Sequence, residues 1–296
     1  MQIRDIISFL EAQRIPFSFS GNEEVELTGF SSLSNYKTGS FTWIKKQENL
    51  PKESTLQTVA LVFAQDGIKG NFVNVVYSSE SKHAFFATIE HFYDKEEKRK
   101  SIGEHTYISP DVRIGKNVFI GHNCTLDGEI VIGDNTVIWN NVTIINKVSI
   151  GKNCEIQSGT VIGHDGFGYT EDKNHIKTMV KHFGGVTIGD NVLISSNVCV
   201  CRGTIDDTII CDGVKIDNMS HIAHNCYVGK NAAMAFPCWL GGSSKLEENA
   251  YLANATIRNQ CTVKENGFVG MGAIVTKDVE RDTIVIGNPA KPYVKK

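Results

Sequence analysis

From Ile102 to Ile162 a bulky aliphatic residue recurs at every sixth position without a slip: Ile102, Ile108, Ile114, Ile120, Leu126, Ile132, Ile138, Ile144, Ile150, Ile156 and Ile162. Four residues after each stands a small or β-branched residue, as at Thr106, Val112, Val118, Cys124, Thr136 and Thr160. Glycine often follows the aliphatic directly, as at Gly115, Gly121, Gly133 and Gly151. A period of six matches neither a helix, at about 3.6 residues per turn, nor a lone strand, with a period of about two. It matches a hexapeptide-repeat parallel β-helix, in which each hexad is one flat side of a triangular coil and about 18 residues close the coil. Coils stacked at the strand spacing of roughly 4.8 Å put their aliphatics into a narrow central prism.

The pattern also marks where the repeat is absent or broken. Residues 1 to about 95 show no hexads. Ile3, Ile6, Ile7 and Leu10 mark one helix face, and Phe85, Phe86, Ile89 and Phe92 mark another within about His83 to Tyr93. Strand-like pieces lie between them at 25–27, 40–44, 60–64 and 74–77, so residues 1–97 are expected to form a small α/β domain. The run Asp94 to Lys100 reads as a solvated linker. The prism is expected over 98–280, interrupted from Gly163 to Gly185, with hexads resuming at Ile188, Ile194 and Val200. An insertion around Thr204 to Asp207 and a one-residue deletion before Ile257 shift the register. About 26 hexads make nearly nine coils. Residues 281–296, with Gly287-Asn288-Pro289-Ala290-Lys291-Pro292, read as a short extended tail.

Composition narrows the picture. A net charge of −3 with no long Lys/Arg run argues against nucleic acid as a partner. The first residues, with Arg4, Asp5 and Glu11, read as an amphipathic helix rather than a signal peptide, and nothing is long and apolar enough to span a membrane, so a cytoplasmic location is expected. Five of the eight cysteines fall on the inward small position of a hexad and read as core thiols of a reducing compartment. No metal is expected, because Cys199-x-Cys201 is too tightly spaced and lacks partners in the sequence. The loop at 163–185 mixes His164, Asp165, Phe167, Tyr169, His175, Lys181 and His182 with glycines; a break of this length in a compact repeat suits a binding flap or a subunit contact.

Candidate chemistry follows from stacking. If side one carries Ile156, Ile194, Ile216, Met234 and Leu252, then side two carries Ile162, Val200, Ile222, Leu240 and Ile257. Two residues beyond each side-two aliphatic lies an outward column: His164, Arg202, His224, Gly242 and Asn259. His224 would then stand on a rigid edge one coil from Gly242. An imidazole beside a backbone N–H that no side chain covers suits acyl transfer: the ring takes a proton from an attacking amine, and the N–H steadies the tetrahedral oxyanion. Trp43, in Gly39-Ser40-Phe41-Thr42-Trp43-Ile44, is either core or a platform for a flat base.

Several segments, Gly163-x-Asp165-Gly166-Phe167-Gly168-Tyr169, Arg202-Gly203, Asp206-Asp207-Thr208-Ile209-Ile210 and Lys215-Ile216-Asp217-Asn218-x-x-His221-Ile222-Ala223-His224-Asn225, resemble the UDP-3-O-acylglucosamine N-acyltransferases of lipid A synthesis. The resemblance covers most of the chain and implies a left-handed β-helix, mainly β in class, assembled as a homotrimer with sites between neighbouring prisms. It implies that His224 is the base, that Gly242 supplies the oxyanion N–H, and that Trp43 stacks on the nucleotide base in an N-terminal nucleotide-binding domain. His164, Asp165, Phe167, Tyr169, Asn218 and Gln260 are the further substrate-binding candidates.

Three departures matter. Gln260 stands where the family has a second histidine, Asn49 stands where it has a tyrosine, and the Gly287 to Pro292 ending resembles coenzyme-A-dependent sugar acetyltransferases of the same class. These point to an N-acyltransferase that moves an acyl group from acyl-CoA to a UDP- or dTDP-linked amino sugar, such as dTDP-4-amino-4,6-dideoxyglucose, for surface glycans. Gly272, Asn288 and Lys291 are then the donor-binding candidates, acyl-CoA is a co-substrate, and no cofactor is permanently bound. The alternatives are the lipid A enzyme itself, with acyl carrier protein as donor, and a nucleotide-sugar-binding scaffold without catalysis.

Overall fold

The computed structural model describes residues 1–94 and 101–293. The expected linker therefore lies outside them beyond Asp94, as do the last three residues of the expected tail. The chain divides into two compact units, Met1–Lys98 and Arg99–Lys296.

The first unit is built from α1 (Ile3–Ala12), β1 (Ser18–Ser20), β2 (Gly29–Phe30), β3 (Ser40–Ile44), α2 (Glu53–Leu56), β4 (Leu61–Gln65), β5 (Val75–Ser78) and α3 (Ser81–Tyr93). Its sheet has the order β1-β5-β4-β3-β2, with β1 antiparallel to β5 and the other pairs parallel. α1 begins where the Gln2 N–H donates to the Asp5 carboxylate at 2.7 Å, half of a capping box. Its Ile3, Ile6 and Leu10 share one face by helical spacing and pack with Phe41, Phe63 and Phe85. The strand expected at 25–27 contributes only an isolated bridge from Glu26 to Gln2, whereas the strand at 40–44 forms as expected.

The second unit is the left-handed β-helix. Among the described residues, face one has ten strands, from Phe119–Ile120 to Lys291–Pro292; face two has nine, from Tyr107–Ile108 to Ile274–Val275; face three has eight, from Arg113–Ile114 to Thr262–Val263. Aliphatics stack on aliphatics: Ile162 pairs with Val200, Val200 with Ile222, Ile222 with Leu240 and Leu240 with Ile257. All five side chains are buried, so each of these coils covers the next, whereas Ile102 and Ile114 at the start of the repeat remain exposed. The inward small position also satisfies corner carbonyls: Thr136 and Thr160 hydroxyls donate to Gly151 O and Ser195 O, and the Cys154 thiol to Gly189 O. Corners need a residue at positive φ, and asparagine fills most of them, as at Asn117, Asn135 and Asn153.

The stretch expected as a tail is partly a rung of the helix. Ile284–Ile286 pairs in parallel with Phe268–Val269, and Lys291–Pro292 folds back antiparallel to it. The long loop leaves after Val161–His164 and re-enters at Val186–Ile188, so it sits at the edge between faces two and three and replaces no side.

Candidate active site

The column read from the sequence is present on that edge. Arg202 N donates to His164 O at 2.9 Å, Ser243 N to His224 O at 2.9 Å and Gln260 N to Gly242 O at 3.0 Å, so each corner rests on the one before. The His224 imidazole lies in a slot with a glycine on each side. A Cβ on Gly242 would come within 2.8 Å of its Cε1 and Nε2, and a Cβ on Gly166 of the flap within 2.8 Å of its Cδ2. Both approaches are shorter than real Cβ contacts, so a side chain at either position would force the His224 ring to shift. The Gly242 N–H has no acceptor among the described residues.

The tautomer of His224 follows from its neighbours. Asn225 Oδ1 accepts from Thr204 N at 3.2 Å and from the Thr204 hydroxyl at 2.9 Å. A backbone N–H can only donate, which fixes the oxygen end of the Asn225 amide. His224 Nδ1, 3.0 Å from the same oxygen, must therefore carry the proton, and Nε2 keeps the lone pair on the side facing Gly242. Asn225 was not singled out from the sequence as an orienting residue; its place directly after the base is the signal that could have found it.

The flap closes over the same edge. His182 is fully buried, and its ring meets the His224 ring edge-on with centroids 5.4 Å apart. Its Nδ1 lies 2.8 Å from Val180 O and so donates, which leaves Nε2 buried without a partner. Asp165 accepts from His182 N at 3.2 Å and stands 3.9 Å from the Arg202 guanidinium, whose Nε donates to Gly184 O at 2.6 Å. Phe167 and Tyr169 contact each other at 4.8 Å between centroids, and Phe167 is 85% exposed. The flap's return strand is anchored by Asp207, which accepts from Gly185 N at 2.7 Å and from the Thr187 hydroxyl at 2.9 Å. Burial alone would push this carboxyl up; these donors, with Lys147 at 3.5 Å, outweigh burial and hold it below the usual range.

Other expected site residues fall elsewhere. Gln260 is exposed on the site edge, one coil above Gly242. Asn218 lies on the edge between faces one and two, where its amide oxygen accepts from Ser196 N at 3.0 Å, so one chain does not bring it to His224. Gly272 is on that same edge, with its N–H on Asn254 O, and the Asn288 and Lys291 segment follows it at the end of the prism, where Ala290 N bonds Ile274 O. In the first unit Trp43 stacks toward Phe85 and donates to the Ser81 hydroxyl at 3.0 Å, and it lines a concavity shared with Leu33 and Asn49. Another concavity, of about 540 Å³, lies on the outer side of face three against Arg113, Glu129 and Lys147 and holds neither the imidazole nor the amide.

Comparison with known proteins bears on the repeat and the fold. Residues 129–164 match the family described as bacterial transferase hexapeptide (six repeats), and residues 111–146 the hexapeptide repeat of succinyl-transferase. LpxA from Acinetobacter baumannii superposes with a TM-score of 0.60 at 25% identity, over 66% of this chain and 74% of that one. The UDP-N-acetylglucosamine acyltransferase of Francisella novicida superposes at 0.58 with 29% identity, over 64% and 68%. Fold and repeats thus define a left-handed β-helix acyltransferase. The relative named UDP-3-O-acylglucosamine N-acyltransferase in Pseudomonas syringae pv. tomato is 31% identical over 246 residues, 76% of this chain and 69% of its own length. The chain belongs to the UDP-3-O-acylglucosamine N-acyltransferase family. The match to the relative of that name in Delftia acidovorans is shorter: 35% identity over 44% of this chain and 39% of that protein.

These relatives correct the expectation of an acyl-CoA-dependent enzyme of surface-glycan synthesis acting on a sugar such as dTDP-4-amino-4,6-dideoxyglucose: they are named for UDP-3-O-acylglucosamine. That reading leaned on the Gly287 to Pro292 segment. In the structure the segment closes the end of the prism, and its residues lie on a different edge from the base.

Proposed function

We propose that the protein transfers an acyl group from the thioester of acyl carrier protein to the glucosamine amine of UDP-3-O-acylglucosamine. The observation that carries this is the His224 ring, with its Nδ1 on Asn225 and its Nε2 edge against Gly242, whose own N–H has no acceptor among the described residues. The neutral amine attacks the thioester carbonyl, and the developing oxyanion is stabilised by the Gly242 N–H. The C–N bond forms first, as the carbonyl electron pair moves onto oxygen; His224 Nε2 takes the amine proton, and collapse then re-forms the carbonyl, breaks the C–S bond and passes that proton to the carrier's departing thiolate. No covalent enzyme intermediate is required.

Within this reading His164, Asp165 and the Phe167 and Tyr169 pair line the sugar's approach. A homotrimer is part of the proposal. Its support is the apolar surface left open along the site edge, with Phe167 85%, Phe183 70% and Ile205 81% exposed. No helix of the described residues is long and apolar enough to cross a membrane.

The test supplies purified protein with UDP-3-O-acylglucosamine and, in separate arms, acyl carrier protein thioester and acyl-CoA of the same chain length. Amide product from the carrier thioester alone is expected. Product from acyl-CoA but not from the carrier, or no amide with either donor, would contradict the proposal.

A further inference from the structure

Cys199 and Cys201 flank the buried Val200 on one strand of face two, so both thiols belong to its outer side. The coil stacking then supplies what sequence spacing alone does not show: Cys199 pairs with His221 on the next strand. The Sγ atoms of Cys199 and Cys201 and a ring nitrogen of His221 lie within 4.8 Å of one another. Cys201 is 6% exposed, and the other two are half-buried. The inward thiols differ: Cys154 and Cys226 bond corner carbonyls and are held up by burial.

We propose that Cys199, Cys201 and His221 form a binding site for a thiophilic cation, zinc in the first instance, with two sulfur donors, one nitrogen donor and one open position. Two thiolates and an imidazole are the donor set that soft and borderline cations prefer. Bonds of about 2.0–2.3 Å in tetrahedral geometry set donors roughly 3.5 Å apart, so the three groups need close by only about 1 Å. No carboxylate belongs to the cluster, which disfavours calcium and magnesium. The strands tied together run straight into the site edge, one to Arg202 and the other to His224, so the cation would clamp the base's coil to the coil beneath the flap. The site is separate from the acyl-transfer chemistry and does not depend on it.

The experiment loads reduced, metal-stripped full-length protein with Co²⁺ as a spectroscopic probe, then competes it with Zn²⁺. One equivalent of cobalt per chain with a thiolate-to-cobalt charge-transfer band is expected, displaced by zinc, together with a rise in melting temperature on zinc addition. Cys199→Ser, Cys201→Ser and His221→Asn should each weaken zinc binding by more than the about 10–100-fold that losing an outer-shell partner costs. Cys211→Ser, at a half-buried thiol outside the cluster, should leave it unchanged. If a cysteine variant fails to fold, His221→Asn alone decides. No thiolate band in folded wild type, or a band that survives His221→Asn at wild-type affinity, overturns the proposal.

Discussion

Two edges of the same prism carry the same period and differ in what their corners do. On the edge between faces three and one, side chains continue the stacking. Asn117 donates to Asn135 at 3.1 Å, Asn135 to Asn153 at 3.2 Å, and Asn249 to Asn266 at 3.1 Å. Asp134, Asp190 and Asp212 each accept a backbone N–H from the neighbouring coil at 2.7 to 2.8 Å. On the edge between faces two and three the backbone rungs persist, but the corner residues are His164, Arg202, His224 and Gly242, and two insertions leave the helix. Here the cross-coil side-chain bonds are local, as from Thr204 to Asn225 and from Asn146 to Gly163 O, and do not form a repeating asparagine ladder, which leaves the edge available for a base, an amide without an acceptor and a flap.

Substitutions on each edge should separate these roles. On the site edge a large effect is expected for Gly242→Ala, whose Cβ would meet His224 Nε2 at 2.8 Å. Displacing the ring from the amide should lower turnover by about 10²–10³, the scale of losing one oxyanion donor, with the melting transition little changed. Steady-state kinetics beside a thermal melt checks both halves. On the ladder edge the pattern reverses. Asn135→Ala puts a Cβ-bearing residue other than Asn at φ 59 and should cost about 1–2 kcal/mol of stability without altering turnover, while Asn135→Gly should recover most of it. Denaturant unfolding measures the difference.

A smaller effect concerns the flap anchor. Because Asp207 is held below the usual carboxylate range, its contribution is complete above the unfolded value, about 3.9, and fades as pH falls through the lower folded value. Protection of the Gly185 amide in hydrogen exchange should thus be constant from neutrality to mild acid and drop below that. Asp207→Asn should weaken it by about 1 kcal/mol at neutral pH. A Gly185 protection factor that falls between neutrality and mild acid would place the anchor on another group.

The fold was legible because a period of six has one structural solution, and the pairing of Ile162, Val200, Ile222, Leu240 and Ile257 is the register that this period dictates. The same rule put His224 one coil from Gly242. What period could not show is what leaves the period. His182 arrives at the His224 ring through an aperiodic loop, and only its burial reveals the contact. His221 joins Cys199 across strands, which linear Cys spacing does not register. In the first unit short strands such as Ser18–Ser20 carry too few residues for alternation to be read. The Gly287 to Pro292 segment misled because its likeness to a donor site is local, whereas its structural task is to end the prism.

The most direct test of the account is the kinetics of His224→Ala with acyl carrier protein thioester and UDP-3-O-acylglucosamine. The predicted result is a fall in kcat of about 10²–10⁴, the usual contribution of a positioned base, with KM for the nucleotide sugar close to that of the wild type. A variant that turns over at the wild-type rate would remove the imidazole from the chemistry and leave the edge between faces two and three without a base.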